Sequence, residues 1–266
     1  MKWGNDMSRL MNGALAAACL AAASTFGAGT ALAQAAEVKE KAPMYSYLAN
    51  WALPRSQWAA MEKANAATEK VTAAALAKGT LVGYGNDATV VHTEDGPTHD
   101  EWWSSMSMAG ILAVLDDMYQ SGNAVTPVLQ AATKHSDGIF VSRYYNWRPG
   151  TYTGAYTRVG IYKLKADAPN DAVDMLSKSF LVPMLEKLLA DGAIVEYEVD
   201  VESIHTEAPD MFFIDVIAPN ADGLDKLNAA LANAIKSNPL AGQAYGSMVD
   251  SSAHHDALMR TNATYK

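Results

Sequence analysis

The strand-like segment Ile194–Ile204 holds the densest set of side chains that could do acid–base chemistry or bind a cation. Carboxylates occupy alternate positions of this segment: Glu196, Glu198, Asp200 and Glu202. Because successive side chains of a strand point to opposite faces, the four acids share one face, and the apolar row that begins at Val195 shares the other. Four ionised acids buried side by side would repel one another, so some must be hydrated, paired, protonated or bound to a metal.

A second candidate site is the hairpin His92–Glu101, which contains two imidazoles and four carboxylates. A tight turn in this hairpin would bring its two arms together, so that His92, Glu94 and His99 could supply nitrogen and oxygen ligands to zinc or a similar divalent ion. The turn sequence Asp95–Gly96–Pro97 is also ordinary, and surface hairpins are commonly polar. The alternative is therefore a structural turn without a metal, and the sequence favours it.

The charge balance restricts the classes of partner. The chain of 266 residues has 20 Lys and Arg against 29 Asp and Glu, a net charge of −9 at pH 7. Binding of a polyphosphate depends on clustered Lys and Arg, so nucleic acid is not an expected partner, and an anionic membrane surface is disfavoured for the same reason. The acidic balance mildly favours cationic ligands, although acidic surfaces more often serve solubility.

Residues 1–33 have the pattern of a signal peptide. Lys2 and Arg9 give a positive start, Met11–Ala23 is apolar and uncharged, and Ala31–Leu32–Ala33 forms a small-x-small cleavage site. The apolar run is short for a bilayer span, so no membrane span is expected. The sequence thus predicts an exported protein, periplasmic or secreted after cleavage near Ala33.

The exported chain is expected to begin at Gln34 with a flexible tether over residues 34–43, which are small and charged. The only cysteine, Cys19, lies in the segment that would be removed. Lipid attachment at Cys19 is an alternative, but the better cleavage site lies beyond it. Disulfides, thiol nucleophiles and cysteine metal ligands are therefore excluded from the exported protein.

An internal repeat is the strongest signal of architecture. The segment Gly79–Glu94 aligns with Gly192–Glu207 without a gap, with seven of sixteen positions identical. The similarity resumes after a loop that we take as three residues shorter in the second copy, with Asp100–Trp103 aligned to Asp210–Phe213. Two equivalent repeats are predicted, residues 44–149 and residues 150–266.

Hydrophobic periodicity predicts the same order of elements in each repeat. The predicted strands are 44–52, 81–92, 101–107 and 139–146 in the first repeat, and 157–166, 194–204, 211–218 and 257–264 in the second. The predicted helices are 56–78, 109–119, 170–190 and 221–237. Pro183 inside the third helix predicts a kink or a break, because proline lacks the N–H that a helix interior needs.

This βαββαβ order is that of the ferredoxin-like unit, in which helices cover one face of an antiparallel sheet. Two such units in one chain can pack their open sheet faces together. The chain therefore resembles the dimeric α+β barrel superfamily in a fused, two-repeat form, over most of Met44–Lys266. The resemblance implies an α+β fold of two tandem ferredoxin-like repeats, packed as a pseudo-dimeric barrel. The superfamily includes cofactor-free monooxygenases, haem enzymes, stress-response proteins and binding proteins, so the fold does not select a function.

In this arrangement the acidic row borders the space between the two sheets, and Trp103 and Phe213 should point the same way. Gly83 and Gly85 align with Glu196 and Glu198 and would leave room for a ligand. The predicted ligand-binding set is Tyr45, Tyr47, Trp51, Trp103, Arg158, Tyr162, Glu196 and Glu198. The alternative, which the sequence favours for the acids, is an exposed sheet edge or pairing with Arg158 and Lys163 across strands.

Three functional hypotheses follow. The leading one is an exported, non-catalytic protein that binds a small ligand or a partner in a cleft between its repeats, with no cofactor. The second is an enzyme of the monooxygenase or haem type that the resemblance implies, using His92, His205 or Arg158. A haem enzyme would need an imidazole that faces a large apolar cavity, and the candidates are His135, His254 and His255. The third is a structural module that self-associates as a homo-oligomer.

Overall fold

The structure, a computed structural model, describes residues 38–94, 96–206, 210–237 and 239–266. The predicted signal peptide, residues 1–33, lies outside the described residues. No helix in the part of the chain that the structure describes is both long and apolar enough to span a membrane. Residues 38–43 of the predicted tether lie against the folded part: the Lys41 N–H donates to the Arg143 carbonyl at 2.9 Å, and the Tyr145 hydroxyl donates to the Ala42 carbonyl at 2.8 Å.

Eight strands form one closed antiparallel barrel. They span Met44–Ala52 (β1), Gly83–Thr89 (β2), His99–Ser105 (β3), Lys134–Trp147 (β4), Gly150–Lys163 (β5), Glu196–Glu202 (β6), Met211–Ala218 (β7) and His255–Tyr265 (β8). Around the barrel the order is β1-β3-β2-β8-β5-β7-β6-β4, and β4 pairs with β1 to close it. The long strands β4 and β5 belong to different repeats and begin five and seven residues, respectively, before their predicted starts.

Seven helices are described, and they pack on the outside of the barrel. They span Trp58–Lys78 (α1), Met108–Gln120 (α2), Pro127–Gln130 (α3), Ala172–Leu176 (α4), Val182–Ala190 (α5), Ala221–Ser237 (α6) and Pro239–Met248 (α7). The order β1-α1-β2-β3-α2-β4 recurs as β5-α4/α5-β6-β7-α6-β8, with α3 and α7 added. This is the predicted α+β barrel of two ferredoxin-like units, so the predicted fold class is confirmed.

The interruption expected at Pro183 is a π-helical turn, Ser177–Leu181, between α4 and α5. Pro183 has no N–H to donate to the carbonyl four residues earlier, and a widened turn before it lets the helix continue without that bond. The helix thereby keeps one apolar side on the sheet, where Leu176, Leu181 and Leu185 are buried.

Two apolar layers lie between the sheet and the helices, one for each repeat. The first contains Trp103, Ile111 and Val114, and the second contains Leu185, Tyr197 and Phe212. In both layers the sheet residues come from one alternating set of strand positions. The other set of positions faces the barrel interior, so each strand separates two different environments.

The register of the strands corrects the alignment of the repeats. Asp87 of β2 pairs with Asp100 of β3, whereas the equivalent Asp200 of β6 pairs with Phe213 of β7. Asp100 is therefore equivalent to Phe213, and the predicted three-residue shortening of the loop is wrong. A shift by an odd number of residues moves every side chain to the opposite face of a strand. This is why Trp103 was wrongly expected to point the same way as Phe213.

The glycines of β2 do not leave room for a ligand, contrary to prediction. A Cβ atom built on Gly83 would lie 2.5 Å from ring carbons of Tyr265, and one on Gly85 would lie 2.5 Å from the Trp102 ring and 2.7 Å from the Asn262 carbonyl oxygen. The two glycines instead give the rings of Tyr265 and Trp102 space to lie flat against the inner wall of the barrel.

We expect Gly85→Ala to destabilise the fold by about 1–3 kcal/mol, because the new methyl group overlaps both a ring and a backbone oxygen. Urea denaturation followed by circular dichroism measures this change. Gly246→Ala is the matched control, since no atom lies within 4 Å of its Cβ position in α7, and it should leave stability unchanged or raise it by about 0.5–1 kcal/mol. Equal stability of Gly85→Ala and wild type would contradict the assigned packing.

Candidate functional site

The barrel interior contains a cavity of about 840 Å³. Lining residues at one end, including Val91, Pro97 and His255, are exposed to solvent, and we call this the open end. The opposite, closed end is filled by a buried apolar cluster that contains Ile217 and Tyr265. The cavity is therefore a pocket within the barrel, and its volume lies in the range of small-molecule sites.

The first repeat contributes a pair of acids to the cavity wall. Asp87 and Asp100 lie directly opposite each other on β2 and β3, and each is 3% exposed. Burial raises the pKa of Asp87 to about 6, and hydrogen bonds from Asp100, Thr261 and Trp102 limit that rise. Burial and the neighbouring Asp87 raise the pKa of Asp100 well above its usual range. Of the two acids, Asp100 therefore more strongly favours its neutral form.

The second repeat contributes a group of three acids, Glu198 and Asp200 on β6 and Asp215 on β7. Burial raises the pKa of Asp215 to about 7 and that of Glu198 to about 8. The pKa of Asp200 rises well above its usual range through burial and through the charges of Glu198 and Asp215. Asp200 lowers the pKa of both neighbours while its own pKa is raised by them, so it is the member of this group that most strongly favours its neutral form.

A sixth acid, Glu196, lies nearest the closed end and is 2% exposed. Its pKa is raised well above the usual range by burial and then by the charge of Glu198. A short polar chain continues from the second group into the first repeat: the Ser46 hydroxyl donates to Glu198 Oε2 at 3.0 Å and lies 2.8 Å from the Ser104 hydroxyl. Thr157 and Thr261 also hydrogen-bond each other through their hydroxyl groups.

Aromatic and aliphatic side chains form the rest of the wall. Phe140 and Phe213 meet edge to face, with ring centroids 5.1 Å apart, and Trp102 and Tyr265 lie with centroids 5.6 Å apart. Leu48, Val159, Ile161 and Met259 complete this surface. The cavity thus combines apolar walls with a few polar groups that converge on its centre, which is the usual composition of a ligand site.

Positive side chains do not balance the deep acids. Among the described residues that line the cavity, Lys, Arg and His occur only at the open end, as Lys134, His135 and His255. Burial without a positive partner is the main reason that the pKa values of the acids rise. At neutral pH the acids consequently share protons within each group and offer both hydrogen-bond donors and acceptors to the cavity.

Of the predicted ligand-binding set, only Glu196 and Glu198 lie in the cavity wall with side chains directed inward. The acidic row is buried rather than on an exposed edge, and Arg158 instead bonds Asn228 and Asp256, each at 2.9 Å. Glu202, at the end of β6, accepts hydrogen bonds from Thr206. The favoured interpretation of the acids as a surface row is therefore wrong.

The predicted facing of the aromatic residues is also wrong. Tyr47 stacks on Trp103 at 4.3 Å and Tyr162 stacks on Phe212 at 5.0 Å, both in the layers beneath the helices. The remaining members of the set lie on the same side: Tyr45, Trp51 and Arg158. Large aromatic rings bury more apolar area against the helices than in the acidic interior, so the positions between them, such as Ser46, face inward.

The histidines of the hairpin lie away from the cavity, although Pro97 and Asp100 of the same segment line it. His92 and His99 flank the Trp58 ring, with centroid distances of 5.1 and 5.6 Å. His99 is buried, whereas Glu94 is exposed. Within the described part of the chain, no group of three or more His, Cys, Asp or Glu side chains is arranged to hold a metal ion. Of the predicted metal ligands, His92 and His99 pack on Trp58, and Glu94 is exposed.

The residues present do not fit axial ligation of haem. His135 stacks on Trp51 at 5.3 Å and pairs with Asp137 at 3.1 Å, His254 stacks on Tyr162 outside the barrel, and His255 is exposed at the open end. The deep wall of the cavity carries acids where a haem pocket needs an imidazole within an apolar surface.

Sequence reasoning missed Asp100, Asp215, Trp102 and Tyr265 as cavity residues. One signal was available for Asp215, which is the single charged residue in the apolar strand Met211–Ala218. An isolated acid in such a strand needs a partner or a functional reason. For Tyr265 the signal was weaker, because it lies next to the end of the chain.

No family model and no curated protein sequence matches the chain. Solved structures are similar in fold. A "putative monooxygenase" from Lactobacillus acidophilus has a TM-score of 0.58 at 11% identity, covering 85% of this chain and 97% of that protein. A second one, from Fusobacterium nucleatum, has a TM-score of 0.56 at 8% identity, covering 85% and 95%. An anthrone oxidase-like protein has a TM-score of 0.54 at 9% identity, covering 85% and 94%. The chain has the dimeric α+β barrel fold in a fused form, as its element order predicted.

The raised pKa values predict that stability falls as pH rises. The carboxyls in the barrel have pKa values of about 6 to 8, whereas an unfolded carboxyl has a lower pKa. At pH values between the two, the native state binds more protons than the unfolded state. We therefore expect the free energy of unfolding to decrease by at least about 2 kcal/mol between pH 5 and pH 8. Urea denaturation across this range measures the slope.

The double variant Asp87→Asn/Asp215→Asn should flatten this slope, because two of the groups that titrate are removed. The matched control is Asp116→Asn on the exposed side of α2, which should keep the wild-type slope. Stability that rises toward pH 8 in the wild-type protein would contradict the assigned protonation of the cavity.

Proposed function

We propose that this chain is an exported, non-catalytic protein that binds a small molecule inside its barrel. The observation that carries the proposal is the cavity of about 840 Å³ with an open end and buried acids directed into it. An eight-stranded barrel is just wide enough for its side chains to fill it or to hold one small ligand. Here the acids, serines and threonines of the strands alternate with aromatic and aliphatic residues on the inner wall, and a ligand-sized space is left.

Unsatisfied polar atoms support binding in this space. Buried oxygen atoms of Asp87, Asp100, Glu196 and Asp200 have no hydrogen-bond partner within the protein. Buried polar atoms almost always have a partner, and an atom without one costs about 1–3 kcal/mol. All four residues belong to the cavity wall, so the unsatisfied polar atoms are concentrated where a ligand would bind.

Export is part of the same proposal. It is supported by the positive start, the apolar run and the small-x-small site of residues 1–33. A binding protein outside the cytoplasm would meet its ligand directly from the environment. Mass spectrometry of the exported protein should then give a chain that begins at Gln34, and an intact Met1 in that fraction would contradict cleavage.

An enzyme is the second candidate. The pKa values of Asp87, Asp215 and Glu198, from about 6 to about 8, suit general acid–base chemistry near neutral pH. The similar structures named monooxygenases also favour this class. The Ser46 hydroxyl, which donates to Glu198 Oε2 at 3.0 Å, would be the nucleophile of such an enzyme. Binding without turnover is the simpler function, because it requires of the cavity wall only charge and hydrogen bonding.

The test is ligand binding to a protein whose cavity entrance has been filled. Ala257→Trp places an indole at the open end, and we expect it to lose binding of small molecules that the wild-type protein retains in native mass spectrometry after incubation with a mixed metabolite library. Ala113→Trp on the exposed side of α2 is the matched control and should bind as wild type does.

The bound molecules are recovered and weighed in the same experiment. Recovery of unchanged molecules supports a binding protein, whereas recovery with added oxygen supports the monooxygenase class. Failure of every library member to bind, or binding that is equal in wild type and Ala257→Trp, would overturn the proposed site.

A further inference from the structure

The acids of the cavity lie in groups on opposite sides of the barrel. Strands β2 and β3, with Asp87 and Asp100, are four strands away from β6 and β7 in the closed order of eight. Glu198, Asp200 and Asp215 therefore face the first pair across the interior, and Glu196 continues the second group toward the closed end. The negative charge is spread over the length and the width of the cavity.

Among the described residues, the deep part of the cavity wall has no Lys, Arg or His to pair with these acids. Four of the acids that line the cavity, each at most 3% exposed, have a buried oxygen atom without a hydrogen bond among the described residues: Asp87, Asp100, Glu196 and Asp200. Buried carboxyls in such a site are held neutral by protons, or they are ionised by a positive group brought in from outside. A ligand with positive charge would take the place of those protons.

The distribution of the acids distinguishes between kinds of cation. A single metal ion needs several ligands around one point, and no such group occurs among the described residues. A molecule with more than one positive centre would instead reach both groups at once. The apolar rings of Trp102, Phe140 and Phe213 between and around the acids suit the hydrocarbon segments of such a molecule, and aromatic faces also attract ammonium groups.

We propose that the ligand of the barrel is an organic cation with two or more protonated amines joined by a hydrocarbon chain. This inference rests on the proposed function, since it names the class of molecule that the same cavity binds. The amines would pair with the two acid groups, and the chain would lie against the aromatic wall. Ionisation of the acids on binding would release protons to solvent.

The probe is spermidine, a linear triamine, measured by isothermal titration calorimetry in two buffers of different ionisation enthalpy. We expect one molecule to bind per barrel and the observed enthalpy to depend on the buffer, because protons leave the acids. Titration near pH 5 should give weaker binding than near pH 7.5, since protons compete with the amines. The titratable groups that face the ligand are Asp87, Asp100, Glu196, Glu198, Asp200, Asp215 and Tyr265, with Lys134, His135 and His255 at the open end.

The variant Asp87→Asn/Asp200→Asn removes one carboxyl that can ionise against an amine from each group and should weaken spermidine binding by about 30-fold or more. Asp116→Asn is the surface control and should bind spermidine as wild type does. Triethylene glycol, an uncharged chain of similar length, should not bind. Absence of saturable spermidine binding, or equal binding by the double variant and wild type, would overturn the inference.

These outcomes separate the inference from the proposed function. One outcome is that uncharged library molecules bind to the wild-type protein but not to Ala257→Trp, and that spermidine does not bind. The barrel would then still be a ligand site, but its ligand would not be an organic cation. Spermidine binding that Ala257→Trp leaves unchanged would place the amine on the acidic surface and reject the inference. Loss of spermidine binding in both Ala257→Trp and Asp87→Asn/Asp200→Asn would support the two together.

Discussion

Closure of the sheet gives every strand residue one of two environments, and the rest of the structure follows from that constraint. In an open ferredoxin-like unit, one sheet face is free and can be hydrated. Here β4 pairs with β1 and β6, and β8 pairs with β2 and β5, so strands from both repeats close the barrel. Residues on the inner face are removed from bulk water whether they are apolar or charged, and the helices cover the outer face.

The two faces satisfy this constraint in different ways. The outer layers use large apolar residues, such as Trp103, Leu185 and Phe212, which pack against the helices and supply most of the hydrophobic stabilisation. The inner face instead holds six carboxyls that share protons within their groups. Burial raises the pKa of Asp100 and Asp200 well above the usual range, and those of Asp87, Asp215 and Glu198 to about 6, 7 and 8, so Asp87 is the first of the last three to ionise as the pH rises. Proton sharing lowers the cost of burial and leaves the interior responsive to pH and to charged ligands.

The fold could be predicted from the sequence, but only part of the candidate site could. Periodicity placed β1, β7 and α6 at their observed bounds, because those segments alternate or repeat cleanly. Glu196 and Glu198 were selected by the same alternation. The sequence does not decide which side of β1 faces the cavity, because the alternate positions that include Tyr47 and those that include Ser46 are both compatible with a strand. The helices that cover one of these two sides are distant in sequence. In β3 a slip of three residues in the aligned repeats reversed the face of Trp103.

Stability alone does not account for the inner face of the barrel. Buried ionisable groups contribute little to folding, and well-packed apolar side chains in their place are often as stable or more so. At Gly83 and Gly85 the rings of Tyr265 and Trp102 pack tightly against the sheet. Close packing of the inner face is therefore possible in this barrel. The space beside Asp87 and Asp215 is left open nonetheless. Local departures from good packing are most often found at functional sites, and here the departure coincides with the unpartnered carboxyl oxygens. A function for the interior accounts for both features together.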